Sequence, residues 1–328
     1  MMERVLVTGA SGLVGSNLCH RLSGLGYEVV GLVREQSNLL ALAGFPGRII
    51  NGDILDESAL VKSMGGIDYV FHTAGLVSFD NRRRDELFSV NAHGVRNMVN
   101  AALKAGVKRL VHTSSIAAIG IPAQGDTADE EVEYNKFRHN VAYGDSKHYG
   151  EVELRKGVER GLDAVIVNPG SIMGQRDVHF HSGILLKVLK KLRFSPYLSG
   201  GMCVAGVDDV VEGEIAALIS GRNGERYILG SENISFKELF IQISQVVGIS
   251  DRSLRVPQWA ARAAATSLEI ISAVTGRPPI LTKAHVVSAT LPHYFSSEKA
   301  IHELGYQPHP IREAIRKSYE WYIENGLM

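Results

Sequence analysis

Tyr143 and Lys147 stand four residues apart in the run Tyr143-Gly144-Asp145-Ser146-Lys147. On a helix, that spacing puts the two side chains one turn apart on the same face. A phenol ordinarily has a pKa of about 10. A neighbouring ammonium favours its ionised form and makes it an acid–base group usable near neutrality. The pattern also arises by chance in helices, and Tyr134 and Tyr149 lie close by. A second candidate is the run His112-Thr113-Ser114-Ser115, which closes a β-branched stretch. A serine hydroxyl at such a strand end can donate to a substrate carbonyl oxygen and, with Tyr143, stabilise a developing alkoxide. Whichever of Ser114 and Ser115 is not used this way is expected to cap a turn.

Residues 8–15 read Thr-Gly-Ala-Ser-Gly-Leu-Val-Gly. Gly9, Gly12 and Gly15 follow one β-branched run and open a helical pattern, with Ser11, Leu13 and Val14 between them. Glycine suits a tight turn whose backbone must approach a pyrophosphate, and the helix start then offers free N–H groups and a positive dipole end. The next run ends in Arg34, with Ser37 close behind, where an NAD site usually carries an acidic residue for the ribose hydroxyls. A guanidinium pairs bidentately with a phosphate, so NADP(H) is expected. Glu35 keeps NAD(H) possible, with Arg34 then a solvated surface residue. Asp53 and Ile54 suit an adenine, the first as acceptor and the second as packing surface, although Asp53 equally suits a helix cap. Thr73-Ala74-Gly75 is small enough for a dinucleotide to lie flat across it.

These residues need a scaffold, and the first half of the chain supplies its pattern. Apolar runs at Arg4–Thr8, Glu28–Val33, Arg48–Asn51, Tyr69–Thr73, Arg109–Ser114 and Ala164–Asn168 read as strands. Between them, Leu13–Leu25, Glu57–Met64, Glu86–Lys104 and Val141–Glu159 carry apolar residues at helical spacing. Strands apolar throughout and separated by helices imply a doubly wound parallel α/β sheet of the Rossmann kind. Its ligand crevice lies at the carboxyl ends of the strands, and every motif above falls at such an end or on the following helix. After Pro169 the rhythm changes. Long loops (Gly174–Ser182, Phe194–Val204) separate helices at Gly183–Leu192, Asp208–Ile219, Ser235–Val247, Pro257–Val274, Ser297–Leu304 and Ile311–Asn325, with one strand at Arg226–Leu229. We expect a nucleotide-binding domain over residues 1–170 and a smaller, mainly helical, discontinuous substrate lobe over 171–328, some of whose segments return to the first domain.

The bulk numbers agree with a large α/β protein. The 328 residues are 45% hydrophobic and 21% charged, and 35 basic side chains balance 35 acidic ones. A zero net charge offers no field for a nucleic-acid backbone. Cys19 and Cys203 lie far apart without metal-ligand spacing and are expected as reduced core residues. No secretory signal opens the chain and no apolar run is long enough to span a membrane, so a cytoplasmic location is expected. The alanine-rich stretch Trp259–Val274, interrupted by Arg262 and Glu269, reads as a packed helix, with docking on a membrane surface the alternative.

Taken together, the glycine loop, the strand-end serine and Tyr143-x-x-x-Lys147 resemble the extended short-chain dehydrogenase/reductases over essentially the whole chain. His72-Thr-Ala-Gly75 is similar to the segment beneath the cofactor, Asn91 to the family's helix asparagine, and Asn168-Pro169-Gly170-Ser171 to the loop that holds the nicotinamide amide. Val207-Asp208-Asp209-Val210, Leu304-Gly305-Tyr306 and Trp321-Tyr322 resemble the family's later landmarks. The spacing to Ala117 and Gly120 aligns Ser115, rather than Ser114, with the catalytic serine. The resemblance implies that Ser115 polarises the substrate, that Tyr143 transfers the proton, and that Lys147 lowers the tyrosine pKa and binds the nicotinamide ribose. It also implies a homodimer paired through the helices around Asp85–Lys104 and Val141–Arg160.

Within that superfamily the chain resembles the dihydroflavonol reductase and 3β-hydroxysteroid dehydrogenase branch, which implies a carbonyl/alcohol interconversion on a largely apolar small molecule. Arg34 favours this branch, as do the apolar Pro257–Val274 helix and the lack of an arginine in Gly200–Ala205, where sugar-nucleotide enzymes commonly hold a diphosphate. The alternative is a nucleotide-sugar epimerase or dehydratase using tightly bound NAD(P), for which Arg176, Lys187, Lys190, Lys191 and Arg193 offer cations. A non-catalytic NADP-binding regulator ranks third, because Ser115, Tyr143 and Lys147 are all present. Asp177, His179 and His181 alternate like metal ligands, but the chemistry needs no metal, so the segment is expected to be a substrate loop in which His179 or His181 contacts substrate. Arg82-Arg83-Arg84 reads as a solvated lead-in to a helix.

Overall fold

A computed structural model describes residues 2–122, 127–135, 141–192, 194–250, 253–275, 282–283, 286 and 289–328. Its strands are β1 (Arg4–Thr8), β2 (Glu28–Val33), β3 (Arg48–Asn51), β4 (Tyr69–His72), β5 (Arg109–Thr113), β6 (Ala164–Pro169), β7 (Ser171–Met173), β8 (Ser195–Tyr197), β9 (Gly201–Gly206), β10 (Arg226–Leu229), β11 (Glu232–Ser235), β12 (Ser253–Arg255) and β13 (Pro292–His293). Seven form one parallel sheet in the order β10-β6-β5-β4-β1-β2-β3. The order reverses between β1 and β4, and a doubly wound sheet opens its ligand crevice at such a reversal.

Alternation along the strands explains why both faces are covered. Val5, Val7, Phe71, Val111, Val165 and Val167 point into one apolar layer, shared with α1 (Leu13–Gly24) and α7 (Val207–Ser220). Leu6, Val30, Leu32, Val70, Leu110 and Ile166 point into the other, shared with α4 (Gly94–Ala105) and α5 (Ala142–Glu159). The short α2 (Glu57–Ser63) and α3 (Arg84–Phe88) complete the first half. The expected single helix over Glu86–Lys104 is interrupted by a π-helical turn at Ser89–His93, centred on Asn91.

The second half carries α6 (Gly183–Leu192), α8 (Phe236–Val247), α9 (Gln258–Thr275), α10 (Glu298–Leu304) and α11 (Ile311–Glu324). It also holds strands that the sequence did not reveal. The expected Phe194–Val204 loop instead contains β8, which pairs with β12, and most of β9, which pairs with β7, β11 and β13. Strands of two to six residues, one containing Pro196 and one opening on Gly201, give no readable alternation. Among the described residues, no helix is long and apolar enough to cross a membrane. Cys19 and Cys203 are both buried and unpaired.

Candidate active site

Thr8 ends β1, Gly9 turns with φ +67°, and α1 starts at Leu13 with Gly12 as its extended N-cap. No side chain caps this helix and no acidic residue sits in its first turn, so its N–H groups and dipole are left unanswered. A Cβ on Gly15 would fall 2.3 Å from the Gly9 carbonyl oxygen, and one on Gly9 would fall 2.7 Å from the Ala74 backbone. The loop therefore lies directly on Thr73-Ala74, where Thr73 Oγ1 donates to the Thr8 carbonyl at 2.8 Å. Ser11 and Val14 are half-buried along it and Leu13 is buried. A helix start without a cap, reached through a cradle that any Cβ would fill, fits a pyrophosphate.

Arg34 is exposed at the end of β2, and its backbone N–H donates to Ser37 Oγ at 3.1 Å. Its guanidinium forms no ion pair with a carboxylate among the described residues. Asp53 Oδ1 accepts from the Leu55 N–H at 2.9 Å, while the cap of α2 is Asp56. Ile54 is buried against Gly94, within the core.

Tyr143 and Lys147 lie on α5 and both are buried. Burial pushes the Tyr143 phenol above its ordinary value, and a hydrogen bond with the Ser115 side chain works the other way. Ser115 Oγ also accepts from the Ala117 N–H at 3.1 Å. Ser114, the expected turn cap, instead donates at 2.6 Å to the fully buried Glu151. Only the cap departs from the expectation: Ser115, beside Tyr143 as expected, also caps the turn. The Phe79 ring packs edge-to-face against Tyr143, with centroids 5.9 Å apart.

Lys147 Nζ donates to the Thr113 carbonyl at 3.0 Å, and a Cβ on Gly75 would come within 3.1 Å of it. Burial pushes its pKa down to about 8, while the charges of Glu151 and Glu214 pull it back up. Glu214 went unread in the sequence. It is fully buried on α7, accepts from Thr113 Oγ1 at 2.5 Å, and is pushed up to about 8 by burial, against the pull of Thr113 and Lys147. The signal was there: Glu214 sits on the buried stripe Val207, Val210, Val211, Leu218 of its helix. Glu151 also accepts from Asn168 at 2.7 Å, and Asn168 in turn donates to the Ser115 carbonyl at 2.9 Å. Asn91 clasps the Leu76 backbone in both directions and donates to Ser146 at 3.0 Å.

Behind the crevice, His72 and His112 stack at 5.2 Å, both buried. Burial, then the Lys147 charge, lowers His72 to about 3, and burial, then His72 and Lys147, holds His112 well below its usual range. Both pKa values are depressed in the folded state, so below about pH 6.5 only the unfolded chain takes up their protons. Stability is expected to fall as pH drops from there, by roughly 1.4 kcal/mol per pH unit for each imidazole. His112→Phe should halve that acid slope in urea titrations; an unchanged slope would remove the pair as its cause.

Pro169 ends β6, the Gly170 N–H donates to the Leu229 carbonyl at 3.0 Å, and Ser171 opens β7. In the following loop Asp177 accepts from the N–H groups of His181, Ser182 and Gly183 and from the Tyr322 hydroxyl. It is a loop anchor, with His179 and His181 adjacent to each other at 5.7 Å. Among the described residues, no three His, Cys, Asp or Glu side chains are grouped to hold a metal. Lys187 lies over the Phe180 ring, Lys190 over the Tyr319 ring, and Arg176 donates to Asn17 at 2.9 Å. Arg193 lies outside the described residues. In the Arg82–Arg84 run, Arg82 and Arg83 make exposed pairs with Asp80 and Glu86, whereas Arg84 reaches the buried Asp145 at 3.2 Å.

The profile of the NAD dependent epimerase/dehydratase family matches residues 5–230. A Synechocystis sp. protein provisionally named a dihydroflavonol 4-reductase is 33% identical, over 100% of this chain and 97% of its own. A 3 beta-hydroxysteroid dehydrogenase/Delta 5-->4-isomerase of Mycobacterium tuberculosis is 29% identical, over 98% of this chain and 91% of its own. The crystal structure of gox2253 is 33% identical and superposes with a TM-score of 0.86, covering 99% of each chain. The chain belongs to the NAD dependent epimerase/dehydratase family. Within it, the chain is an NAD(P)-dependent oxidoreductase of the extended short-chain dehydrogenase/reductase type, in the dihydroflavonol reductase-like branch.

Proposed function

We propose that this oxidoreductase uses NADP(H) to interconvert a carbonyl and an alcohol on a largely apolar small molecule, with Tyr143 as general acid/base. The observation that carries the reading is the buried Tyr143 phenol, one turn before Lys147 on α5 and next to Ser115, which follows β5. A phenol held above its ordinary pKa stays protonated at neutral pH, which is the state needed to donate to a carbonyl oxygen during reduction. Ser115 supplies the second hydrogen bond to that oxygen. Lys147, pinned by Thr113 and with Glu151 opposing the burial that lowers its pKa, offers the charge that eases proton removal in the opposite direction. When bound, the nicotinamide gives or takes the hydride.

In this reading the cofactor is held along the crevice. Gly9, Ser11, Gly12, Leu13 and Val14 receive the pyrophosphate, Arg34 and Ser37 the 2′-phosphate, and Asp53 and Ile54 the adenine. Thr73, Ala74 and Gly75 lie beneath it, Tyr143 and Lys147 meet the ribose, and Pro169, Gly170 and Ser171 meet the nicotinamide. Residues 171–328 serve as the substrate lobe, and the names of the two relatives above speak for an apolar, ring-bearing substrate. We further assign a cytoplasmic homodimer paired through α4 and α5.

Titration with NADPH and NADH, followed by NADPH oxidation against ketones, aldehydes and nucleotide sugars, tests the reading. Tight NADPH binding with net oxidation by an apolar carbonyl compound supports it. Conversion of a nucleotide sugar without net cofactor consumption overturns it in favour of an epimerase or dehydratase. Arg34→Ala should weaken NADPH binding roughly tenfold or more, as loss of a charge-assisted pair does, and leave NADH binding alone. Equal effects on both cofactors would make Arg34 a surface residue.

A further inference from the structure

Phe79 belongs to the segment between β4 and α3, and the local chain goes to some length to fix it. Asn91 bonds both the N–H and the carbonyl of Leu76. Asn81 Oδ1 accepts from the Ala142 N–H at 3.3 Å, and Arg84 pairs with Asp145, buried on α5. The segment is thereby tied at both ends to the elements that carry Asn91 and Tyr143. Between the ties, the Phe79 side chain remains 56% exposed and its neighbour Val77 39%. A large ring left this exposed on a pinned segment gains little from burial in the free protein. It stands edge-to-face with the phenol that bears the proton-transfer role in the reading above. Fixed aromatic rings at the mouth of a polar site are where ligand rings are desolvated, because little side-chain freedom remains to be lost on binding.

We infer that Phe79 is a substrate-binding residue whose ring packs against a flat ring carried next to the reacting carbonyl. It thereby selects ring ketones over short acyclic carbonyl compounds. The inference rests on the carbonyl–alcohol reading, since an oxygen bonded to Tyr143 brings the group attached to its carbonyl carbon alongside Phe79.

The test uses the full chain saturated with NADP+ and two probes, flavanone as the ring ketone and butanal as the acyclic carbonyl compound. Flavanone affinity is measured by calorimetry, and kcat and KM with NADPH are measured for both probes. Phe79→Ala should weaken flavanone binding roughly tenfold, the scale of an aromatic contact with its buried area. The ratio of kcat/KM for flavanone over butanal should fall by a similar factor, mainly through KM. Phe79→Tyr, which keeps the ring, should restore both. An unchanged ratio with unchanged flavanone affinity overturns the inference, as does an equal fall for both probes, which would make Phe79 a support for Tyr143 only. NADPH affinity serves as the folding check on each variant. Flavanone binding that depends on Phe79 without any carbonyl turnover would keep the inference and defeat the oxidoreductase reading. Turnover of both probes indifferent to Phe79 would do the reverse.

Discussion

Tyr143→Phe is expected to lower turnover by about three orders of magnitude, the scale of a lost general acid, while NADPH affinity stays within about twofold of the wild type. The substitution is conservative in everything except the hydroxyl. The ring keeps its packing against Leu76, Leu87, Ala117 and Ala142, and its edge-to-face contact with Phe79. Only the hydroxyl is removed, and Ser115 keeps its bond to the Ala117 N–H. Stability should therefore change little, or rise slightly, because a buried phenol is replaced by a hydrocarbon. Single-turnover oxidation of bound NADPH, beside a fluorescence titration of cofactor binding, separates chemistry from affinity. A variant retaining a tenth of wild-type activity would end the assignment of Tyr143 as proton donor.

Gly15→Ala is expected to abolish cofactor binding at any practical concentration and to destabilise the chain by about 3 kcal/mol, in the range of overpacking. The added methyl would meet the Gly9 carbonyl oxygen at 2.3 Å and Thr73 Oγ1 at 2.7 Å. Neither can retreat easily, since Gly9 abuts the Ala74 backbone and Thr73 Oγ1 is bonded to Thr8. Gly24, at the other end of the same helix, makes the control. A Cβ there meets nothing within 4 Å, so Gly24→Ala should stabilise by roughly 0.5–1 kcal/mol. Chemical denaturation of both variants without cofactor reads out the difference. If Gly15→Ala proved as harmless as Gly24→Ala, the loop would not be the tight cradle described above.

The sequence made the central sheet legible because β1, β2, β4, β5 and β6 are largely buried on both faces and read as continuous apolar runs, while the exposed edge strand β3 is marked by its Ile49-Ile50 pair. Their starts fall where expected, and their ends lie within a residue of it. The small strands of the second half were not legible. Glu232–Ser235 is polar at three of its four positions, Ser195–Tyr197 holds a proline, and both gain their ladders from segments dozens of residues away. The site divides in the same way. Tyr143, Lys147 and the glycine loop announce themselves by spacing within one element. The stacked His72 and His112 acquire meaning only when separate elements meet, and Glu214, though on the buried stripe of its own helix, shows its partners Thr113 and Lys147 only then. Phe79 carried no local signal, because a phenylalanine in a connecting segment looks like any other until its neighbour is known to be Tyr143.

The outermost strand of the main sheet has a consequence for how the chain is made. β10 is contributed by residues 226–229, long after β6 has left the ribosome, and α7 must fold in between to cover β5 and β6. Until then the nascent sheet ends on β6, a bare, strongly apolar edge of unpaired N–H and carbonyl groups, the kind that recruits strands from other chains. Its protection is a matter of timing as well as affinity: the interval during which about sixty further residues are translated is the window in which a chaperone would have most to do.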